Sequence, residues 1–312
     1  MRVVDAAWQE WLSSNVARGC TPGSMIDAMV QAGFADGEAR VAVHHAFDRR
    51  ACRPAAPATV ADPATNPYRY DAAPVARGNL IRAADREVRV LLRCERPQLV
   101  VFADVLSAVE CADLIERSRH RLKRSTTVNP LSGHEDVIRS RTSEGVWYRR
   151  GEDRLIARIE RRIASLTNWP IENGEGLQVL HYGTSGEYSP HFDFFAPDQP
   201  GSAVHTAQGG QRVATLIIYL NDVADGGETV FPSAGLSVAA RAGGAVYFRY
   251  MNGERQLDPS TLHGGAPVLA GDKWIMTKWM RERAYADAAP IRPLYKHPAD
   301  AAPYTARGSR AT

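Results

Sequence analysis

The chain has 312 residues, of which 44% are hydrophobic and 23% charged, with a formal net charge of +3. This length allows one sizeable domain and a small one, and so low a charge gives no argument for a nucleic-acid partner. No apolar run approaches the roughly 20 residues of a membrane span, and no signal peptide is recognisable at the N-terminus. The four cysteines are far apart and form no CxxC pair. Free thiols in a reducing cytoplasm are therefore expected, and the sequence predicts no oligomeric state.

Residues 1–50 are predicted to form a small helical bundle. Trp8 and Leu12 recur at helical spacing in the first segment. Thr21 and Pro22 suit the N-cap and first position of a second helix, and Asp36 suits the start of a third. The pattern leaves two roles open for this bundle, the docking of a peptide or partner and plain packing.

Two stretches rich in Pro and Ala flank the main part of the chain. Residues 51–80 have the composition of an extended linker, and residues 286–312 form a tail that is not expected to have its own core. The domain boundary is therefore placed within the linker. The main domain is therefore predicted over residues 81–285.

The main domain begins with helices and continues with many short strands. Ser107 and Glu110 have capping-box spacing at the start of one helix, and a second helix is predicted over 153–166. Strands are predicted over 88–92, 99–102, 177–182, 213–220, 229–231, 245–250 and 274–280. This order predicts an α+β fold, with a sandwich or jelly roll buttressed by helices.

A candidate metal-binding pair lies in the stretch 177–193, whose pattern is typical of a strand, a Gly-containing turn and a second strand. Residues i and i+2 of a strand point to the same face, so His191 and Asp193 would present an imidazole and a carboxylate side by side. His134 and Asp136 have the same spacing. That second pair follows a polar loop without a flanking strand and is interpreted as solvent-exposed.

A third ligand is expected from a distant strand, and His263 is the candidate. Two histidines and one carboxylate with open positions form the facial triad of non-haem Fe(II) oxygenases. Ten residues further on, Lys273 begins an apolar strand, a position that suits an ammonium meeting a buried anionic group. The sequence therefore predicts His191, Asp193, His263 and Lys273 as one catalytic group.

The segment from about residue 99 to residue 283 resembles the prolyl 4-hydroxylase family of Fe(II)- and 2-oxoglutarate-dependent dioxygenases. The resemblance is strongest to the plant, algal and bacterial members, and it does not cover residues 1–80 or the tail. The motifs that carry it occur in the family's order. They are RTSEG (141–145), ENGEGLQVL (172–180), GEYSPHFDFF (186–195), GQRVAT (210–215), YLNDV (219–223), GGETVFP (226–232), HGGAPV (263–268) and KW (273–274).

The resemblance implies a double-stranded β-helix core, jelly-roll or cupin-like, that holds Fe(II) and uses 2-oxoglutarate and O2, with ascorbate as reductant. It implies that the metal ligands are His191, Asp193 and His263, and that 2-oxoglutarate is bound by Lys273, Thr229 and Tyr182. The residues it implies for the peptide groove are Tyr188, Arg212, Arg141, Ser143, Glu175 and Trp279. In one departure, Arg281 stands where the plant-type enzymes usually have a histidine near the bound peptide.

The implied activity is 4-hydroxylation of proline in a peptide or protein, with release of succinate and CO2, by an enzyme like procollagen-proline 4-dioxygenase. Two alternatives remain open at this point. The substrate could be another protein side chain or a free amino acid, or the fold could be a non-catalytic peptide-binding module. The complete triad with Lys273 argues against the last alternative, because a non-catalytic module has no need of all four residues.

Overall fold

The computed structural model describes residues 4–17, 22–52, 58–129, 131–138 and 140–286. The chain divides into two compact units, Met1–Pro57 and Ala58–Thr312. Thr21, residues 53–57 of the predicted linker and residues 287–312 of the predicted tail lie outside the described residues.

The first unit consists of three helices, as predicted. They are α1 (Ala6–Ala17), α2 (Pro22–Gln31) and α3 (Asp36–Cys52). Leu12, Met29 and Val43, one from each helix, are buried together with Phe34 in a core of their own. Gly33 lies in the turn after α2 with a φ of 93°, which favours glycine.

The second unit combines helices with many short strands. Over its described residues the helices are α4 (Ala108–Arg119), α5 (Arg154–Thr167) and α6 (Ser202–Ala207). The strands are β1 (Thr59–Val60), β2 (Leu80–Ala83), β3 (Arg86–Cys94), β4 (Gln98–Ala103), β5 (Lys123–Arg124), β6 (Thr127–Val128), β7 (Glu135–Asp136), β8 (Glu144–Tyr148), β9 (Gly174–Tyr182), β10 (Tyr188–His191), β11 (Arg212–Tyr219), β12 (Asp225–Gly226), β13 (Thr229–Phe231), β14 (Leu236–Val238), β15 (Ala245–Arg249), β16 (Gln256–Leu257), β17 (His263–Gly265), β18 (Val268–Ala270) and β19 (Lys273–Arg281).

Two antiparallel sheets form the core of this unit. The large sheet has the strand order β2-β3-β4-β15-β11-β19-β9-β8-β5, and the small sheet has the order β10-β17-β13-β14. From β9 onward the chain passes repeatedly between the two sheets, with β9, β11, β15 and β19 in the large sheet and β10, β13, β14 and β17 in the small one. This is the arrangement of a double-stranded β-helix. The predicted α+β fold with this core and a helical N-terminal bundle is therefore confirmed. The central strand β19 is buried along its whole length, because one face meets the space between the sheets and the other meets helices.

Helices α4 and α5 buttress the large sheet on the side away from the small sheet. The predicted capping box is present, since Glu110 N donates to Ser107 Oγ and Ser107 N donates to the Glu110 carboxylate. Asp153 caps α5 by accepting from two backbone N–H groups. Lys278 of β19 donates to Glu160 of α5 at 2.8 Å, which ties helix and sheet through a buried ion pair.

Residues 58–78, here called the strap, lie within the predicted linker and pack on the rest of the second unit. Strand β1 of the strap pairs in parallel with β16. Tyr70 donates to Asp258 at 2.9 Å, and Asp71 forms an ion pair with Arg249 at 2.5 Å. The strap thus contacts the segment that leads into β17. Of the helices in the described part of the chain, none combines the length and the hydropathy that a membrane span needs.

Candidate active site

A cavity of about 500 Å³ lies between the two sheets. Strands β9, β11 and β19 of the large sheet and β10, β13 and β17 of the small sheet line it, together with the β6–β7 hairpin. Residues that are far apart in the sequence therefore meet around one enclosed space. This is the usual setting of a small-molecule site.

The predicted metal ligands meet at this cavity. His191 ends β10 and His263 begins β17, and the two residues are paired across the antiparallel ladder. Asp193 Oδ1 lies 3.6 Å from His191 Nε2, and Asp193 Oδ2 lies 3.5 Å from His263 Nε2. The expectation that Asp193 shares a strand with His191 is wrong, because β10 ends at His191 and Asp193 lies in a bend. The bend turns the carboxylate toward both imidazoles.

Each ligand is held in place by a second polar group. The Nδ1 atoms of His191 and His263 lie 2.9 and 3.1 Å from the carbonyl oxygens of Ser189 and Thr261. Nδ1 is therefore assigned as the donor, which leaves the Nε2 lone pair free for a metal. Thr215 donates to Asp193 Oδ2 at 2.7 Å and fixes that carboxylate.

The electrostatics of the group suit a divalent cation. Burial lowers the pKa of His263 to about 4, so its imidazole is neutral at physiological pH, the form that a metal requires. Burial by itself would raise the pKa of Asp193, but His263 and His191 hold that pKa well below its usual value. One ligand atom from each of the three residues lies within 4.8 Å of the others. Geometry and charge therefore fit a facial Fe(II) site.

The second His-x-Asp pair does not form such a group. His134 is exposed at the tip of the β6–β7 hairpin, as interpreted from the sequence. Within the described ranges, the group at His191 is the one cluster of three or more His, Cys, Asp or Glu side chains with metal-binding geometry.

Lys273 places a buried cation at another part of the cavity. It is 3% exposed and is paired with Tyr182 across the β19–β9 ladder. Burial lowers the pKa of Lys273 to about 8, against the attraction of Glu228. As far as the chain is described, the ammonium makes no hydrogen bond or ion pair with a side chain. A buried ammonium that has no hydrogen-bonded counter-ion and lies beside a cavity is suited to binding an anion.

The other two predicted 2-oxoglutarate residues lie beside this ammonium. The Lys273 Nζ atom is 5.6 Å from the ring centroid of Tyr182. The Thr229 hydroxyl lines the same cavity and accepts a hydrogen bond from Tyr219 at 2.8 Å. The structure thus brings Lys273, Thr229 and Tyr182 together.

Four of the six predicted groove residues line the cavity, and two lie behind it. Tyr188, Arg141, Arg212 and Trp279 are in the lining. Ser143 is fully buried behind the wall and accepts from Arg141 Nε at 3.1 Å. Glu175 is buried as well and accepts two hydrogen bonds from Arg212, at 2.7 and 2.8 Å. These two support arginines of the lining.

The aromatic residues of the lining lie close to the metal ligands and to the arginines. The Tyr188 ring stacks on His191 with 3.7 Å between centroids, and the Arg141 guanidinium lies 4.9 Å from the Tyr188 centroid. The Arg212 guanidinium lies 4.2 Å from the Trp279 centroid. The groove therefore offers flat apolar faces held in place by cations.

Two features of this site were not found by sequence reasoning. Trp147 of β8 is 44% exposed, lines the cavity and lies 5.5 Å from the Trp279 ring. Thr215 holds the Asp193 carboxylate from the neighbouring β11. Strand periodicity shows that Trp147 and Gly145 share a face of their strand. It does not show which face meets the cavity, because that is set by the pairing of β8 with β9. Arg281, at the position where the plant-type enzymes usually have a histidine near the peptide, does not line the cavity.

The fold and this site define a 2-oxoglutarate- and Fe(II)-dependent dioxygenase. The 2OG-Fe(II) oxygenase superfamily profile matches residues 177–281. The chain is 42% identical over 208 residues to probable prolyl 4-hydroxylase 3 of Arabidopsis thaliana, a match that covers 61% of this chain and 71% of the relative. It belongs to the prolyl 4-hydroxylase family, as the sequence motifs predicted.

Two further curated relatives agree with this assignment, and one solved structure is also similar to the chain. Prolyl 4-hydroxylase 5 of Arabidopsis thaliana is 43% identical over 202 residues, covering 59% of this chain and 68% of the relative. The alpha-1 subunit of human prolyl 4-hydroxylase is 38% identical over 189 residues, covering 61% of this chain and 35% of the subunit. A solved viral collagen prolyl hydroxylase from Paramecium Bursaria Chlorella virus-1, in a 2-oxoglutarate complex, is 28% identical with a TM-score of 0.47, covering 59% of this chain and 95% of that one.

Proposed function

We propose that the enzyme hydroxylates proline residues of a peptide or protein at C4. The observation that carries the proposal is the His191–Asp193–His263 group in one cavity with the buried Lys273 and an aromatic groove. Relatives at 38 to 43% identity that are named prolyl 4-hydroxylases support proline as the target. The reaction consumes O2 and 2-oxoglutarate and releases succinate and CO2.

In this proposal the triad holds Fe(II), and Lys273 with Thr229 and Tyr182 holds the distal carboxylate of 2-oxoglutarate. When bound, iron and 2-oxoglutarate supply the oxidising chemistry that inserts one atom of O2 into a C–H bond of the substrate. The chain's own share is to fix the ligands, through Thr215 and the carbonyls at Nδ1, and to keep the site dry between two sheets.

The groove is proposed to bind an extended proline-rich segment. A polyproline II segment has no internal hydrogen bonds, so its carbonyls need donors from the protein. Arg141 and Arg212 are the donors, and Tyr188 and Trp279 offer ring faces for proline. Because Tyr188 stacks on His191, a ring bound against Tyr188 would lie beside the metal ligands. Ser143 and Glu175 are proposed to orient the two arginines.

Two finer points belong to the same proposal. Ascorbate is proposed as the reductant that restores Fe(II) after turnover without substrate, and its omission should lower the number of turnovers in a long incubation. The cytoplasm is proposed as the location, on the scattered cysteines, of which Cys94 and Cys111 are free thiols.

The test is an assay with Fe(II), 2-oxoglutarate, ascorbate and peptides of the (Pro-Pro-Gly) or polyproline type. Succinate should form in proportion to a peptide mass increase of one oxygen atom per modified residue. Asp193→Ala should abolish both, without lowering the melting temperature of the metal-free protein, because the carboxylate is a proposed ligand. Asp198→Ala, at an exposed carboxylate in the same loop, is the matched control and should retain activity.

Two results would contradict the proposal. Retained turnover in Asp193→Ala would refute the ligand assignment. A protein that binds iron and 2-oxoglutarate but hydroxylates no member of a peptide panel would refute the prolyl substrate. Hydroxylation of another side chain or of free proline, found by amino-acid analysis, would then select the alternative activity.

A further inference from the structure

Arg281 is a fully buried arginine at the end of the strand that supplies the cavity wall. It shares a face of β19 with Lys273 and Trp279, yet it is 1% exposed and absent from the cavity lining. Burial of a guanidinium is costly unless its donors are satisfied. The hydrogen bonds of this side chain therefore indicate its structural role.

The guanidinium joins the sheet to helix α6. Arg281 Nη1 donates to Glu175 Oε1 at 3.2 Å, and Nη2 donates to the carbonyls of Gln208, at 2.8 Å, and His205. These carbonyls belong to the C-terminal end of α6, where a cation is favoured by the helix dipole. A planar fork of donors can reach a carboxylate and two carbonyls together, which an ammonium cannot do as well.

Helix α6 and the residues before it form one wall of the groove. Gln199 and Ser202 line the cavity. The His205 ring stacks on the cavity residue Phe195 with 5.1 Å between centroids, and His205 Nε2 lies 2.7 Å from the carbonyl oxygen of Gly133 in the β6–β7 hairpin. The wall thus touches the β6–β7 hairpin, which also lines the cavity.

The contact between wall and hairpin leaves no room for side chains. A Cβ at Gly133 would lie 2.9 Å from the carbonyl oxygen of Gly201, and a Cβ at Gly201 would lie 2.5 Å from Gly133 N. Gly133 also has a φ of 71°. A small displacement of α6 would therefore open or block this contact. Another contact of α6 is needed to hold the helix in position.

We infer that Arg281 is a positioning residue that fastens α6 as the wall of the peptide groove and so controls peptide binding without contacting the peptide. The inference rests on the proposed function. Lys273 begins the same strand, and eight residues of strand separate the two side chains by about 26 Å. Changes at Arg281 are therefore expected to act on the peptide and to leave 2-oxoglutarate binding unchanged.

The variant Arg281→Met removes the donors and keeps much of the side-chain volume. We expect the KM for a prolyl peptide to rise about tenfold, from the loss of charge-assisted hydrogen bonds that hold the wall. The KM for 2-oxoglutarate and the rate of succinate formation without peptide should stay within about twofold of the wild type. Arg281→Lys, which keeps a charged donor, should give a peptide KM between those of the wild type and the Met variant.

Arg283→Met is the matched control, since Arg283 is exposed two residues further on and should have no effect. Hydrogen–deuterium exchange gives a readout that does not depend on activity. In Arg281→Met, exchange should increase about tenfold across residues 199–208 and remain unchanged in β9 and β19, with the melting temperature recorded for each variant.

Two outcomes would overturn the inference. The first is a similar rise in the KM values for peptide and 2-oxoglutarate, which would indicate a general loss of fold. The second is unchanged exchange across residues 199–208. If the wild type hydroxylates no prolyl peptide, the proposed function fails by itself, and the exchange experiment still decides whether Arg281 fastens α6.

Discussion

At the scale of single residues, Lys273 is a buried cation in the lining of the cavity. Its ammonium is buried, and burial is the cause that lowers its pKa to about 8. The groups that face it are Glu228, which favours the charged form, and the neutral Tyr182, Tyr219 and Thr229. A carboxylate bound there would replace the lost hydration of the cation.

The lowered pKa predicts a pH dependence for 2-oxoglutarate. The ammonium is charged below pH 8 and loses its proton above, so kcat/KM for 2-oxoglutarate in the free enzyme should fall as pH rises through about 8. Burial raises the pKa values of Tyr182 and Tyr219, so neither phenol ionises in this range. Steady-state kinetics measured between pH 6.5 and 9.5, in steps of about one-half pH unit, would measure the decline.

Two variants separate this effect from other titrations. Lys273→Ala should raise the KM for 2-oxoglutarate on the order of tenfold to a hundredfold and remove the decline above pH 8. Lys123→Ala, at an exposed lysine of β5, is the matched control. A Lys273→Ala enzyme that keeps the wild-type pH profile would show that another group titrates.

The sequence predicted which residues meet at the proposed metal site, but not the charges that surround it. His191, Asp193, His263 and Lys273 stand in motifs whose order and spacing are readable along the chain. The ion pairs of Glu175 join residues 37 and 106 positions apart, to Arg212 and to Arg281. Spacing carries no information on such pairs, since they depend on which strands become neighbours.

At the scale of elements, local signals predicted the helices and long strands well. The Asp153 cap and the Ser107 capping box lie within one turn of the residues they serve, so a sequence pattern contains them. Strands of two or three residues, such as β12 and β17, are too short to show a period. The strap was interpreted as linker because Pro and Ala dominate it, whereas Ala58, Ala61 and Val75 are buried.

The strap is expected to contribute to stability through Asp71. Its carboxylate accepts from Arg249 Nη1 and Nη2, and from Gly253 N at 2.8 Å, while the Arg249 side chain is 11% exposed. Asp71→Asn would leave that cation without its counter-charge. We expect a loss of about 1–2 kcal/mol in the free energy of unfolding. The loss is not larger because Asp71 itself is 41% exposed, so solvent screens the ion pair.

Urea denaturation followed by tryptophan fluorescence would measure this loss. Glu254→Gln is the matched control, because Glu254 forms an exposed ion pair with Arg69 of the same strap and such pairs contribute little. Equal stabilities of Asp71→Asn and the wild type would show that the strap is not held by this ion pair.

At the scale of the whole molecule, the chain consists of two units with separate cores. The helical unit has its core around Leu12, Met29 and Val43, and the dioxygenase unit has its core among the two sheets and the helices α4 and α5. The sequence predicts a boundary within residues 51–80, and the contacts divide the chain at Pro57 and Ala58. A unit with its own core can fold alone.

Deletion of residues 1–57 is therefore expected to leave the second unit folded and active on short peptides. The melting temperature of that unit should stay within a few degrees of its value in the full chain. The kcat/KM for a prolyl peptide should stay within about twofold, because the strap and the cavity are retained. Deletion of residues 1–78 is the comparison, and it should lower the melting temperature through loss of the Asp71–Arg249 pair and the β1–β16 pairing.

A full-length protein substrate separates the two roles left open for the helical bundle. If the bundle docks substrates, its removal raises the KM for the protein and not for the peptide, whereas equal values for both would assign it to packing alone.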